Sequence, residues 1–292
     1  MDNTGKGIMN WRTDLWVFVL VLVLIGCVCG ACDNTQEDTA ESYLSEGFDL
    51  YNNGEYRAAI ERLTKAIELD PNMPLAYVDR ASAYIALGDY NLAMADCNRA
   101  IELDLEQAAA YNNRGFILLL AGDYELAIED CSRATEIDPG LVKAYLNRAT
   151  AYMYQGEYDL AIADCGQVID IDPDLVVAYT NRAYLHLSKA EYELAIADYT
   201  KAIELAPELE EAYRIRGSVY YAIKSYELAI RDYSKAIDLD PANVITYLKR
   251  GLAFKEQGKT TEALADFERV IAMSGDAELL DKATAEIEAL SD

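Results

Sequence analysis

The chain is poor in the residues that most chemistry needs. It has 292 residues with one histidine, and 25 Lys+Arg against 51 Asp+Glu, a net charge of −26. So few cations exclude the usual nucleic-acid binder, which needs Lys and Arg to displace counterions from phosphate. A single His argues against histidine-built metal sites and against a His-dependent catalytic triad. No glycine-rich phosphate loop and no paired-cysteine zinc spacing occurs along the sequence. The residues therefore predict no enzyme, no metal and no cofactor. What is present is globular composition, 52% apolar and 26% charged, rather than that of a disordered chain.

One long apolar run stands apart from the rest. Residues 15–32 read LWVFVLVLVLIGCVCGAC, after Lys6 and Arg12 and before Asp33, Glu37, Asp38 and Glu41. A basic flank, an apolar core and then small residues match a secretory signal, and the length sits at the low edge for a membrane span. The charge order places the N-terminus on the cytoplasmic side. Leu24-Ile25-Gly26-Cys27 resembles the lipobox of bacterial lipoproteins: an aliphatic residue, a variable one, a small one, then cysteine. The resemblance implies cleavage after residue 26, a lipid on Cys27 and a protein held on the exported face of a membrane. An uncleaved signal anchor over residues 1–26 is the alternative. Residues 27–39 then carry the lipidation cysteine and a polar linker.

The remainder is periodic. Tyr recurs at 43, 77, 111, 145, 179, 213 and 247, and Ala at 59, 93, 127, 161, 195, 229 and 263, always 34 apart. Residues 40–277 divide into units of that length without insertion, at 40–73, 74–107, 108–141, 142–175, 176–209, 210–243 and 244–277. A fixed period of this size means a stacked array. Within 142–175, apolar residues fall at helical spacing over 144–154 and again over 158–171. Gly156 breaks the first run and Asp172-Pro173 ends the second. Ala190 and Lys224 stand where other units have the turn glycine, which predicts two less favourable turns. Residues 278–292 read as an amphipathic capping helix, with Leu279, Leu280, Ala283 and Ile287 covering the last unit.

Tyr145, Ala149, Tyr152, Gly156, Tyr158, Ala161 and Pro173, with their equivalents, resemble the tetratricopeptide repeat pattern, over about four-fifths of the chain. The resemblance implies an all-α, right-handed superhelical solenoid of seven helix-turn-helix repeats. It also implies that first helices line an inner groove where partner peptides or helices bind.

Charge covariation predicts a contact. The seventh residue of a unit is Arg80, Arg114, Arg148, Arg182, Arg216 or Arg250, and the twenty-third is Asp96, Asp130, Asp164, Asp198, Asp232 or Asp266. In the first unit the signs are exchanged, as Glu46 and Arg62. Pairing within each unit satisfies all seven; pairing across units would set Arg62 against Arg80. Cys97, Cys131 and Cys165 repeat at one helix position and lie too far apart for a disulfide or shared zinc, so they read as buried packing. His186 replaces a tyrosine of other units and reads as a core ring. Glu68, Glu102 and Glu136 read as a solvated rim, with a surface for a basic partner or a divalent cation as the weaker alternative.

By position, the resemblance assigns groove-facing places to the second, fifth, sixth, ninth, twelfth and thirteenth residues of a unit. The sixth place reads Ser45, Asp79, Asn113, Asn147, Asn181, Ile215, Lys249. An asparagine amide both donates and accepts, so Asn113, Asn147 and Asn181 could hold a peptide backbone or simply be ordinary repeat residues. Phe116, Leu119, Leu120, Met153, Tyr154, Tyr184, Leu187 and Tyr221 supply apolar surface, and Lys143 and Arg214 the few cations. That set suits an apolar peptide or amphipathic helix. The expectation is a membrane-tethered protein-interaction scaffold without nucleic-acid partners. The alternatives are a regulatory or assembly subunit of an enzyme or envelope complex, a signal-anchored receptor, or a self-associating chain whose groove takes a neighbour's C-terminal helix.

Overall fold

A computed structural model describes residues 39–291. The signal segment, Cys27 and most of the linker lie outside the described residues. Fifteen helices follow one another, with no strand among the described residues. The first helices of successive units are α1 (Ala40–Asn52), α3 (Pro74–Leu87), α5 (Ala108–Ala121), α7 (Val142–Gln155), α9 (Val176–Ser188), α11 (Glu210–Ala222) and α13 (Val244–Glu256). The second helices are α2 (Tyr56–Leu69), α4 (Tyr90–Leu103), α6 (Tyr124–Ile137), α8 (Tyr158–Ile171), α10 (Tyr192–Leu205), α12 (Tyr226–Leu239) and α14 (Thr260–Met273). Each packs chiefly on its sequence neighbours, and successive first helices also touch at several junctions. The architecture is thus the expected all-helical solenoid.

The sequence signature acquires its reasons here. Ala59, Ala93, Ala127, Ala161, Ala195, Ala229 and Ala263 have no exposed surface, because no larger side chain fits where the helices cross. The hydroxyls of Tyr77, Tyr179 and Tyr247 donate to the carbonyls of Pro71, Pro173 and Pro241 at 3.3, 3.0 and 3.4 Å, which ties the tyrosine and proline series together. Turn glycines have φ between 72° and 86° at Gly54, Gly88, Gly122, Gly156 and Gly258. Ala190 and Lys224 are forced to φ of 58° and 61°, the left-handed region that costs a side chain about 1 kcal/mol or more. Both turns are therefore as unfavourable as expected.

All seven charge pairs close within their units. The six Arg–Asp pairs lie at 2.6–2.8 Å, and Glu46–Arg62 at 3.3 Å. In each of the six, both carboxylate oxygens accept from one guanidinium, a bidentate match. The guanidinium also lies over the tyrosine three residues earlier, for example Arg148 over Tyr145 at 5.4 Å. Its remaining nitrogen, Nη1, reaches the preceding unit: Thr64, Asn98, Ser132, Thr200 and Ser234 accept at 2.8–3.1 Å from Arg80, Arg114, Arg148, Arg216 and Arg250. Arg182 alone lacks this tie, because the corresponding residue is Gly166. The same cation therefore holds each unit shut and fastens it to its neighbour, except between the fourth and fifth.

The last helix, α15 (Ala277–Ser291), buries Ala283 and packs Leu279, Ile287 and Leu290 on the seventh unit. Leu280 is half-buried and stands outside that cluster, its place taken by Leu290. No helix among the described residues is long and apolar enough to cross a membrane.

Candidate peptide-binding groove

Three clefts open between successive first helices. The first, about 280 Å³, is built by α1, α3, α5 and α7 and is lined by Tyr51, Ser82, Ile85, Asn112, Asn113, Phe116, Lys143, Leu146 and Asn147. The second, about 220 Å³, lies between α7 and α9 and includes Thr150, Met153, Asn181 and Tyr184. The third, about 450 Å³, lies between α9 and α11, with Val177, Thr180, Tyr199, Leu209, Glu211 and Ile215 joining Asn181 and Tyr184. Asn181 and Tyr184 thus border two clefts at once, and α9 forms the ridge between them.

The asparagine series is not an equal ladder. Asn113 Nδ2 donates to Ser82 Oγ at 2.9 Å, and Asn147 Nδ2 donates to Asn112 Oδ1 at 3.0 Å. Both donors are thus engaged by the preceding unit. Asn181 meets a different neighbour. The residue in the place of Ser82 is Thr150; both hydroxyls donate to the carbonyl four residues earlier, Ser82 to Val78 at 3.0 Å and Thr150 to Leu146 at 2.8 Å, but only Ser82 also accepts from the asparagine of the next unit. The Asn181 amide makes no hydrogen bond to a described residue. Of the three, it alone keeps both amide groups available.

The other expected groove residues divide. Phe116 and Lys143 join the first cleft, Met153 the second, and Tyr184 the second and third. Leu119, Leu120, Tyr154, Leu187, Arg214 and Tyr221 line none of the three. Tyr154 stacks on Tyr124, with ring centroids 5.0 Å apart and 9° between planes, at the turn end of α7. Tyr221 meets Tyr226 edge-on at 5.4 Å and packs beside Ala229, Tyr233 and Ala253. Leu187 packs against Ala183, Tyr199 and Ala212. Leu119 is half-buried and Leu120 exposed. Arg214 is drawn to Glu210 through Nε and to Glu211 through Nη2, both at 3.4 Å, and the buried Nε makes no hydrogen bond.

Sequence reasoning passed over Asn112, Thr180 and Tyr199. Tyr199 occupies the place of Cys97, Cys131 and Cys165, a small-to-large change that could have drawn notice. Its equivalent, Tyr233, donates to Ser218 Oγ at 3.2 Å. Tyr199 has Tyr184 in place of Ser218 and makes no hydrogen bond to a described residue, although it is only 2% exposed. Burial raises its phenol pKa above the ordinary value. A neutral phenol without a hydrogen bond to a described residue therefore borders the largest of the three clefts.

Burial pushes the thiols of Cys97, Cys131 and Cys165 up to about 12, so they are not thiolates at neutral pH. His186 is buried, with Nδ1 2.7 Å from Glu191 Oε2. Lys189, in the same turn, joins Glu191 to Asp159 of the preceding unit, at 2.7 and 2.6 Å. No cluster of three metal-ligating side chains occurs among the described residues.

Tetratricopeptide repeat models match residues 44–104, 108–141, 142–175, 176–209 and 246–273, and a TPR repeat model matches 217–258. The chain belongs to the tetratricopeptide repeat family. No curated protein sequence matches it. Among solved structures, MamA is 26% identical, with a TM-score of 0.55 over 57% of this chain and 92% of its own. The C-terminal part of a TPR repeat-containing protein from Cytophaga hutchinsonii is 20% identical, with a TM-score of 0.68 over 82% and 98%. YrrB, described as a TPR protein with an unusual peptide-binding site, is 20% identical, with a TM-score of 0.56 over 63% and 95%. The repeats make this chain a protein–protein interaction scaffold, built on a fold that is typically non-catalytic.

Proposed function

We propose that the protein is a membrane-tethered adaptor whose inner groove holds an apolar segment of another protein. The observation that carries this reading is the ridge of α9. There Asn181 keeps its amide free beside the half-exposed ring of Tyr184, between two clefts with apolar walls. A free amide can satisfy a peptide's backbone donor and acceptor together, while the clefts take its side chains. The peptide-binding site named for YrrB is a parallel within the same fold. Tethering rests on the lipobox-like residues 24–27, and two or more acyl chains would make it lasting.

One preparation tests both parts. The full chain is extracted from native membranes, as wild type and as the Leu146→Asp, Tyr184→Ala double variant. The expected intact mass lacks residues 1–26 and carries acyl chains. A stoichiometric partner should accompany the wild type and be at least tenfold depleted from the variant. An unlipidated mass that retains residues 1–26 would replace the lipid by a signal anchor. Equal recovery of the partner by both forms would remove the groove as its site.

A further inference from the structure

In two units the sixth residue reaches back to the ninth residue of the unit before. Asn113 bonds Ser82 in this way, and Lys249 Nζ bonds Ser218 Oγ at 2.9 Å. In the second unit the sixth residue is Asp79, and the ninth residue of the first unit is Phe48, which offers no hydrogen bond. The Asp79 carboxylate is half-buried and makes no hydrogen bond or ion pair with a described residue. The six aspartates at the twenty-third place of their units are each matched by an arginine; the adjacent Arg80 is committed to Asp96. Asp79 lies on the groove side of α3, three residues before Ser82 and six before Ile85, both in the first cleft. The titratable group facing it from α1 is Tyr51, which lines that cleft together with one cation, Lys143 of α7. Burial alone raises the Asp79 pKa to about 6. The carboxylate is thus charged at neutral pH, poorly solvated and without a counter-ion among the described residues.

We infer that Asp79 is the specificity residue of the groove, and that the partner's segment carries a lysine or arginine that pairs with it, its neighbouring apolar residues filling the cleft of Tyr51, Ile85, Phe116 and Leu146. This rests on the groove reading above and adds the chemistry of the occupant. A cationic segment also suits a chain of net charge −26, whose long-range field draws positive partners toward it. Pairing requires the ionised acid. Binding is therefore complete above the free pKa of about 6 and weakens as pH falls below it.

The test uses the full chain in detergent micelles at 0.15 M salt and a set of twelve-residue peptides. All share one Leu/Phe/Ser background and carry a single Lys, a single Glu or neither, scanned through each position. With the Lys at one position, binding should be at least tenfold tighter than for the neutral peptide, and for Glu weaker still. Asp79→Asn, which keeps the shape and removes the buried charge, should erase the preference without lowering the melting temperature. Asp79→Lys should reverse it toward Glu. Lowering the pH from 7.5 to 5 should weaken the Lys peptide several-fold and leave the neutral one unchanged. If the neutral peptide binds as tightly as the Lys peptide, or if Asp79→Asn keeps the preference, the inference is wrong while the groove reading stands. If no peptide binds, or if binding survives Leu146→Asp, the groove reading fails and this inference with it.

Discussion

Replacing Asp164 by alanine is expected to destabilise the array by about 3–5 kcal/mol, the usual cost of leaving one partner of a buried ion pair alone. The side chains of Arg148 and Asp164 are 17% and 7% exposed, and the acid accepts at 2.8 and 2.6 Å from the same guanidinium. Those hydrogen bonds hold the guanidinium pKa above its ordinary value, despite its burial. Arg148 also bonds Ser132 and Thr135 of the preceding unit. Loss of Asp164 therefore frees a cation at a junction between units as well as within one. Neighbouring units in a solenoid stabilise each other pairwise, so urea unfolding followed by circular dichroism should broaden as the centre of the stack weakens. Arg148→Met with Asp164→Leu should recover most of the loss, because the pair is replaced by apolar bulk. Glu46–Arg62 is the internal control. Its side chains are 35% and 43% exposed, so removing it should cost under about 1 kcal/mol. A loss at Asp164 as small as that control would contradict the buried-clamp account.

The second large effect separates two helical glycines. Gly251→Leu is expected to cost about 3 kcal/mol or more, and Gly251→Ala about 1–3, by overpacking. A Cβ there would meet Phe267 Cε1 at 2.7 Å and Asp266 Cβ at 3.2 Å, and Phe267 has no exposed surface into which to retreat. Gly166→Ser should instead stabilise by about 1 kcal/mol, from helix propensity and one new hydrogen bond. A Cβ at Gly166 meets nothing within 4 Å, and the hydroxyl would stand where Ser132 and Ser234 receive their arginines, within the reach that Arg182 now lacks. Thermal melts of the full chain measure both. Equal and opposite signs are not required; a stabilising Gly251→Ala or a destabilising Gly166→Ser would refute the packing argument.

Much of this molecule was legible because each unit repeats the same physical problem. The Arg–Asp clamp was readable from the exchanged signs of Glu46 and Arg62, since only one pairing satisfies every unit. The positive φ of Ala190 and Lys224 followed from glycine's absence at a turn that needs the left-handed region. The groove was less legible, because availability depends on the neighbour in the preceding unit. Asn113 and Asn181 occupy equivalent places, yet Ser82 engages one and Thr150 leaves the other free. Tyr154 holds a nominal groove position but finds Tyr124. Tyr199 shows the same limit. Glycine faces the large side chains Leu63, Tyr233 and Phe267, whereas Ala183 faces Tyr199, beside the widest cleft. Position in the repeat identifies which residues face inward; the partner that the preceding unit offers, Ser82 for Asn113 and Asn112 for Asn147, decides which are engaged.

The inner face is expected to hold a partner's apolar, cation-bearing segment. Site-specific photo-crosslinking in native membranes tests it most directly, with benzoylphenylalanine placed in turn at Phe116 and Tyr184 in the groove and at Glu102 and Glu136 on the exposed rim. Both groove positions should capture the same protein, the attached peptides should map to one short segment with apolar residues and a lysine or arginine, and the rim positions should capture none of it. Capture of the partner only from Glu102 and Glu136, with nothing at Phe116 or Tyr184, would place the binding surface outside the groove.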